Sequence, residues 1–203
     1  MHCLAVGFAT ILISVPLAVG TAGAQTMTDT TVSYPISVGI AAGATIPLGD
    51  LGDAQSTGWN VEGLVNWTTS HRPLSLRADV AYNSLSGKSV TFPGGSFKTD
   101  NENLFDVTGD VAWHFYPNAT NPSQWVPYIL GGIGIYHFGG QTSEIESTSG
   151  STNFGLNIGG GVIYELSGFS AFVEARLHNV FLSGGSAKFF PISFGLRFGG
   201  GGV

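Results

Sequence analysis

The sequence predicts an all-β chain: an eight-stranded antiparallel up-and-down barrel that crosses a membrane, preceded by a cleavable signal peptide. Three observations carry this reading. Apolar residues recur with period two in eight successive segments, as one face of a strand requires. Charged residues are only 10% of the chain, against about 25% in an ordinary soluble domain. Aromatic residues on the apolar face repeat at a spacing that matches the thickness of a membrane's apolar band.

The N-terminal run LAVGFATILISVPLAV (4–19) is followed by GTAGAQ, in which Ala22-Gly23-Ala24 has the small-x-small form of a secretory cleavage site. The domain organisation read from this is a signal peptide at 1–24, a short polar linker at 25–33 and one barrel domain at 34–203. The run falls short of the about 20 apolar residues that span a bilayer, and Pro16 interrupts it, so a helical anchor is disfavoured. Cys3 lies before the run, so the mature chain is expected to hold neither thiol nor disulfide.

The first strand covers Tyr34 to Pro47, with Ile36, Val38, Ile40, Ala42, Ala44 and Ile46 on its apolar face. The loop LGDAQSTG leads to the second, Gly58 to Thr69, where Trp59, Val61, Gly63, Val65 and Trp67 oppose Asn60, Glu62, Leu64, Asn66 and Thr68. After the turn SHRP, the third strand sets Leu74, Leu76, Ala78, Val80 and Tyr82 against Ser75, Arg77, Asp79, Ala81 and Asn83. A long polar loop is expected over Ser84 to Asn103. The fourth strand places Phe105, Val107, Gly109, Val111, Trp113 and Phe115 opposite Asp106, Thr108, Asp110, Ala112, His114 and Tyr116. The connection PNATNPSQ is a turn by its prolines and asparagines.

The fifth strand, Val126 to Phe138, is ambiguous. If Tyr128, Leu130, Tyr136 and Phe138 face out, then Ile129, Ile133 and Ile135 face in. A second polar loop spans Gly139 to Thr152. The sixth strand sets Phe154, Leu156, Ile158, Gly160, Val162 and Tyr164 against Asn153, Gly155, Asn157, Gly159, Gly161 and Glu165. After Ser167-Gly168, the seventh puts Ala171, Val173, Ala175 and Leu177 opposite Ser170, Phe172, Glu174, Arg176 and His178. The eighth, KFFPISFGLRF (188–198), has Phe190, Ile192, Phe194, Leu196 and Phe198 on one side and Arg197 on the other.

Connections after strands two and six are tight, that after four is moderate, and those after three and five are long. A membrane barrel has short turns at one rim and longer loops at the other. That scheme puts both mature termini on the periplasmic side. The connections after strands one and seven are shorter than the scheme asks.

The two faces decide between a soluble core and lipid. Trp59 and Trp67, Phe105 and Phe115, Phe154 and Tyr164, and Phe190 and Phe198 pair up at even separations of eight or ten residues. Ten residues at about 3.3 Å each, tilted about 40°, rise about 25 Å, the distance between aromatic girdles. Glu62, Arg77, Asp79, Asp110, Glu174, Arg176 and Arg197 all take the opposite face, including three of the seven basic residues. Buried charges are costly alone and are expected to pair, giving a lumenal network in which the arginines bridge the carboxylates. An eight-stranded barrel is just wide enough for side chains to fill. Inward Gly39, Gly43, Gly155, Gly159, Gly161 and Gly195 are expected to make room for the long arginines.

The signal segment, the eight amphipathic strands and the terminal ISFGLRF resemble the small outer-membrane β-barrel proteins of the OmpA/OmpX type, over about Tyr34 to Phe198. GATIPLGDLGD, VPYILGGIGIY, FGLNIGGGVIYEL and FVEARLHNV are similar to segments of that broad family. The resemblance implies a cell-envelope protein of the bacterial outer membrane with a structural, adhesive or host-interacting role. It implies contact with outer-membrane lipid and lipopolysaccharide, and recognition of the terminal strand by the outer-membrane assembly machinery. It also implies an unidentified extracellular partner for the long loops.

Net charge is −6 and no two of the seven basic residues adjoin, which argues against nucleic acid. No metal or cofactor is expected: His2, His71, His114, His137 and His178 form no i, i+2 or i, i+4 pair, and the glycine-rich pieces precede no helix. For an enzyme, His178 with Ser183 and Glu174 is the best candidate set. The acid lies four residues from the histidine, about 13 Å along a strand, too far for a direct triad, so no catalytic residue is assigned. A structural or interaction barrel with a plugged lumen is the first reading; a narrow, porin-like channel or a lipid-modifying enzyme is the alternative. A soluble ligand carrier of the same topology would need the opposite parity, apolar inside and polar outside.

Overall fold

Where a strand's greasy face must meet lipid, every backbone group has to find its partner within the protein, and closure into a barrel is the way a sheet achieves this. The computed structural model describes residues 36–69, 73–92, 95–98, 100–115, 124–139 and 150–199. The strands are β1 (Ile36–Leu48), β2 (Gln55–Thr68), β3 (Leu74–Gly87), β4 (Ser89–Phe92), β5 (Gly95–Lys98), β6 (Glu102–His114), β7 (Trp125–Phe138), β8 (Ser151–Glu165), β9 (Phe169–Leu182) and β10 (Gly185–Gly199). Eight of them close in the order β1-β10-β9-β8-β7-β6-β3-β2, every pair antiparallel, while β4 and β5 form a separate two-stranded ribbon.

The register fixes the tilt. Stepping from Pro47 across the pairs Phe189, His178, Asn157, Gly132, Asp110, Arg77 and Asn66 returns to β1 at Ser37, ten positions from the start. A slip of ten over eight strands corresponds to a strand tilt of about 40°. Positions at one height on adjacent strands therefore differ by little more than one residue. Allowing for this, Trp59, Tyr82, Phe105, Phe154, Phe181 and Phe190 lie level at one end. Trp67, Trp113, Phe115, Trp125, Tyr164, Phe169 and Phe198 lie level at the other. The two belts are roughly 24 Å apart along the axis.

Between the belts the outer wall is apolar, with Ile40, Ile133, Ile158 and Phe194 each more than half exposed. Arg77, Asp79, Glu174 and Arg176 are buried inside. An outward oily face around a charged interior excludes the soluble carrier.

Several boundaries and one face differ from the sequence reading. In β7 the isoleucines point out and Val126, Tyr128, Leu130 and Tyr136 point in, the reverse of the outward set considered for Tyr128, Leu130 and Tyr136. The segment 84–103 is not one loop. β3 runs on to Gly87, the β4–β5 ribbon follows, and β6 begins at Glu102, because Ser84–Gly87 pairs back onto β2 and β6 beyond the apolar band. LGDAQSTG holds a single helical turn, α1 (Asp50–Ala54), and the start of β2, whose ladder slips between Ser56 and Trp59. β9 reaches Leu182 and β10 starts at Gly185, so only Ser183-Gly184 joins them. The signal segment, the linker, Tyr34, Tyr116 and most of SHRP, PNATNPSQ and the 139–152 loop lie outside the described residues.

Candidate functional site

The lumen is the place where this chain concentrates chemistry, and it is built in layers. At mid-height β3 supplies Arg77 and Asp79, β9 supplies Glu174 and Arg176, β2 supplies Glu62 and β6 supplies Asp110, each on the inward parity of its strand. Arg77 donates from Nε to Asp79 Oδ1 at 2.6 Å, from Nη1 to Glu174 Oε2 at 2.6 Å and from Nη2 to Glu62 Oε1 at 2.5 Å. Arg176 donates from Nε to Glu174, from Nη1 to Asp110 Oδ2 at 3.1 Å and from Nη2 to Glu62 Oε1 at 3.2 Å, with Asp79 Oδ1 also 3.2 Å away. Tyr128 donates its hydroxyl to Glu174, and Asn157 and Thr108 donate to Asp110 at 2.7 and 3.0 Å. Two guanidiniums thus tie together carboxylates from β2, β3, β6 and β9.

Arg197 points inward but does not join this cluster. It donates to Glu165 Oε1 at 3.2 Å, near the end where Trp125 and Phe198 sit, and Ser170 donates to the other oxygen of Glu165 at 2.7 Å. Above the charges runs a chain of hydrogen-bonded polar side chains that ends on the carboxylate of Asp106. Ser193 donates to Asn60 at 2.9 Å, Asn60 to Thr45 at 3.0 Å, Thr45 to Asn83 at 2.6 Å and Asn83 to Asp106 at 3.0 Å. Above that again the lumen is closed by an apolar cluster of Leu104, Tyr136, Val180, Ala187 and Phe189, against which Leu51 of α1 and Phe138 pack. Below the charges Leu64, Ala112, Val126, Leu130, Ile163 and Phe172 fill the section. The void left beside Arg77 and Arg197 is about 10 Å³, no more than one water occupies. Side chains plug the lumen.

Of the six inward glycines, three admit aromatic rings and one an arginine. A Cβ at Gly159 would stand 2.7 Å from Arg176 Cγ, so that glycine does admit an arginine. One at Gly155 would meet Tyr136 Cε2 at 2.7 Å, one at Gly161 the Tyr128 hydroxyl at 2.7 Å, and one at Gly195 the Phe172 ring. Gly39 faces Leu64, and Gly43 is pressed against the backbone at Ile192.

The aromatic residues Trp59, Trp67, Phe105, Phe115, Phe154 and Phe198 are exposed on the outer wall, while Tyr164 and Phe190 are half-buried there. They meet partners that the strand-by-strand pairing passed over: Trp59 with Tyr82, Phe154 with Phe181, Trp125 with Tyr164 and Phe169 with Phe198. The set His178, Ser183 and Glu174 is not assembled. His178 Nδ1 lies 2.9 Å from the Tyr136 hydroxyl and its ring stacks on Phe189. Glu174 is held by the arginines, and Ser183 sits exposed in the turn. His114 stacks on Tyr128 inside, and His137 lies 2.9 Å from Thr152 Oγ1 outside. His2 and His71 lie outside the described residues.

Tyr128, Asn157, Asp106 and Glu165 carry much of the polar packing and were not singled out by charge pattern. Tyr128 was hidden by the reversed face of β7; Asn157, Asp106 and Glu165 were already on the inward parity.

The family model described as outer membrane protein beta-barrel domain matches residues 14–198. No curated protein matches the chain. Among solved structures, Neisserial surface protein A is similar at 16% identity with TM-score 0.61, covering 82% of this chain and 97% of that one. OprG from Pseudomonas aeruginosa is similar at 12% identity with TM-score 0.54, covering 82% and 97%. The outer membrane enzyme PagL is similar at 18% identity with TM-score 0.51, covering 80% and 99%. At these identities the likeness is one of fold, and the fold is one that an enzyme also uses. The chain belongs to the outer-membrane β-barrel family and is an integral barrel of the bacterial outer membrane.

Proposed function

We propose that this barrel is a structural and surface-interaction protein, neither a channel nor an enzyme, whose outer loops meet a partner outside the cell. The observation that carries the reading is the lumen. An apolar lid, a hydrogen-bonded polar chain, the arginine–carboxylate cluster and an apolar base follow one another down the axis, so the described side chains occupy the lumen at each of these levels. The charged cluster acts as a polar core that fixes the spacing of the strands around it. The belts Trp59, Phe105, Phe154 and Phe190 and Trp67, Phe115, Tyr164 and Phe198 anchor the barrel at its two membrane boundaries.

The end bearing α1, the β4–β5 ribbon and the short Ser183-Gly184 turn faces outward, and the end bearing the β8–β9 turn at 166–168 lies in the periplasm. Removal of residues 1–24 precedes assembly, and the terminal strand to Phe198 is what the assembly machinery engages. The catalytic reading loses support because His178, Ser183 and Glu174 are held in three different environments.

Planar-bilayer recording of the refolded barrel tests the plug: the expected trace shows no steps above the lipid baseline. Regular, voltage-independent conductance steps would refute it. Mass spectra of lipid A from expressing cells test the catalytic alternative, and an unchanged spectrum is expected.

A further inference from the structure

We propose that Glu62, Asp79 and Asp110 hold one proton among them at neutral pH, shared between a neighbouring carboxyl and Asp79 Oδ2. The register sets the three side by side. Asp79 stands opposite Leu64 of β2 and Thr108 of β6, so Glu62 and Asp110 are its diagonal neighbours, each two positions along. Diagonal positions lie about 7–8 Å apart, a gap that side chains of this length close. They meet on one guanidinium. Arg176 Nη2 is 3.2 Å from both Glu62 Oε1 and Asp79 Oδ1, and Nη1 is 3.1 Å from Asp110 Oδ2. Three like charges abreast on adjacent strands repel, and their side chains, at most 9% exposed, have little water to screen them.

Hydrogens are what this layer lacks. With Glu174, four carboxylates surround Arg77 and Arg176, and burial makes that excess of negative charge costly. Asp79 Oδ1 accepts from Arg77 Nε, but Asp79 Oδ2 is buried with no donor on it. Asn157, whose Nδ2 donates to Asp110 Oδ1 at 2.7 Å, also leaves its Oδ1 buried without a donor. Both orphaned atoms of this layer are acceptors. The orphaned donor of the lumen, Arg197 Nε, lies lower, on the side chain that bonds Glu165.

A proton taken from solvent onto Glu62 or Asp110 gives Asp79 Oδ2 its hydrogen bond and removes one negative charge, so the trio titrates as one unit. One proton suffices, because Asp79 Oδ2 is the one orphaned carboxylate oxygen among the described residues of this layer. The other titratable groups around the trio are already engaged. Tyr128 of β7 donates to Glu174, Asp106 of β6 accepts from Asn83, and Tyr136 of β7 meets His178 of β9. A metal ion is the other way to offset the charge. The small void beside the cluster, about 10 Å³, is lined by Arg77 and Arg197, which repel one. The proposal concerns the charge state of the plug and holds whichever end of the barrel faces out.

The test is infrared absorption of the full chain refolded in dodecylphosphocholine, a detergent with no carbonyl of its own. The C=O stretch of a protonated carboxyl is resolved there from the amide band, and heat-modifiable gel migration reads that each variant is folded. At neutral pH the wild type is expected to show this band, shifted on exchange into deuterium oxide. Asp79→Asn puts an amide donor in the place of Oδ2, and the wild-type minus variant spectrum is expected to contain the intensity of one protonated carboxyl. Asp110→Asn offers the same donor from the neighbouring strand and is expected to lose the same intensity, which keeps the test decisive if Asp79→Asn fails to fold. A wild type without the band, or a folded variant of either kind that keeps all of it, overturns the proposal. A wild type without the band whose urea midpoint rises with added sodium also overturns it, in favour of a bound metal ion.

Discussion

Replacing Arg77 by Met leaves a hole in the charge count rather than in the packing. Arg77 reaches from β3 to Glu62 on β2 and Glu174 on β9 while also holding its own neighbour Asp79, all at 2.5–2.6 Å. Its side chain is 6% exposed and those of its three partners 9% or less. Around the two arginines stand four carboxylates, Glu62, Asp79, Asp110 and Glu174, so formal negative charge already exceeds positive. Removing one partner of a buried pair costs about 3–5 kcal/mol, because the survivor stays buried and unpaired. In Arg77→Met three carboxylates lose a partner and only Arg176 remains. In Glu62→Gln the surplus falls instead and both guanidiniums keep other acceptors.

The prediction is therefore asymmetric: about 3–5 kcal/mol lost for Arg77→Met, and no more than about 1 kcal/mol for Glu62→Gln. Urea titration of the barrel refolded in lipid vesicles, followed by heat-modifiable gel migration, measures both. For slopes of about 1–3 kcal/mol/M the arginine variant shifts the midpoint down by at least about 1 M. An Arg77→Met loss below about 1 kcal/mol, the worth of an exposed ion pair, would refute the buried-network argument.

Two further perturbations address the wall and the glycines. Phe194 lies near the midpoint between the belts and is 63% exposed, so Phe194→Arg should cost about 2–4 kcal/mol in the same titration. An effect near zero would mean that this face does not meet hydrocarbon. Gly159→Ala should cost about 1–3 kcal/mol, since its Cβ would stand 2.9 Å from Arg176 Cα, whereas Gly63→Ala should stay within about 0.5 kcal/mol. Equal midpoints for the two glycine variants would contradict the packing described.

Period two made most of the barrel legible. Trp59, Val61 and Val65 against Glu62 and Asn66, or Leu76 and Val80 against Arg77 and Asp79, state their faces outright. β7 does not, because the lumen near the lid and base is itself apolar. Val126, Tyr128 and Leu130 inside are as hydrophobic as Ile129 and Ile133 outside, so alternation carries no sign there. Arg197 illustrates a different limit. Its parity is readable from Phe198 and Leu196, but its height depends on the slip between strands, and that slip lowers it from the central cluster to Glu165. The ends of β3 and β6 were missed because strands here outrun the apolar band, and α1 is too short for any period to register.

The chain has four tryptophans, Trp59, Trp67, Trp113 and Trp125, and all four are exposed on the outer wall at one or other belt. Their fluorescence in vesicles therefore reports directly on what the wall faces. Phosphatidylcholine brominated on its acyl chains should quench the emission strongly, most of all with bromine near the headgroup, while aqueous iodide should quench little. Emission insensitive to brominated lipid but quenched by iodide would place these indoles in water and contradict the membrane-facing wall.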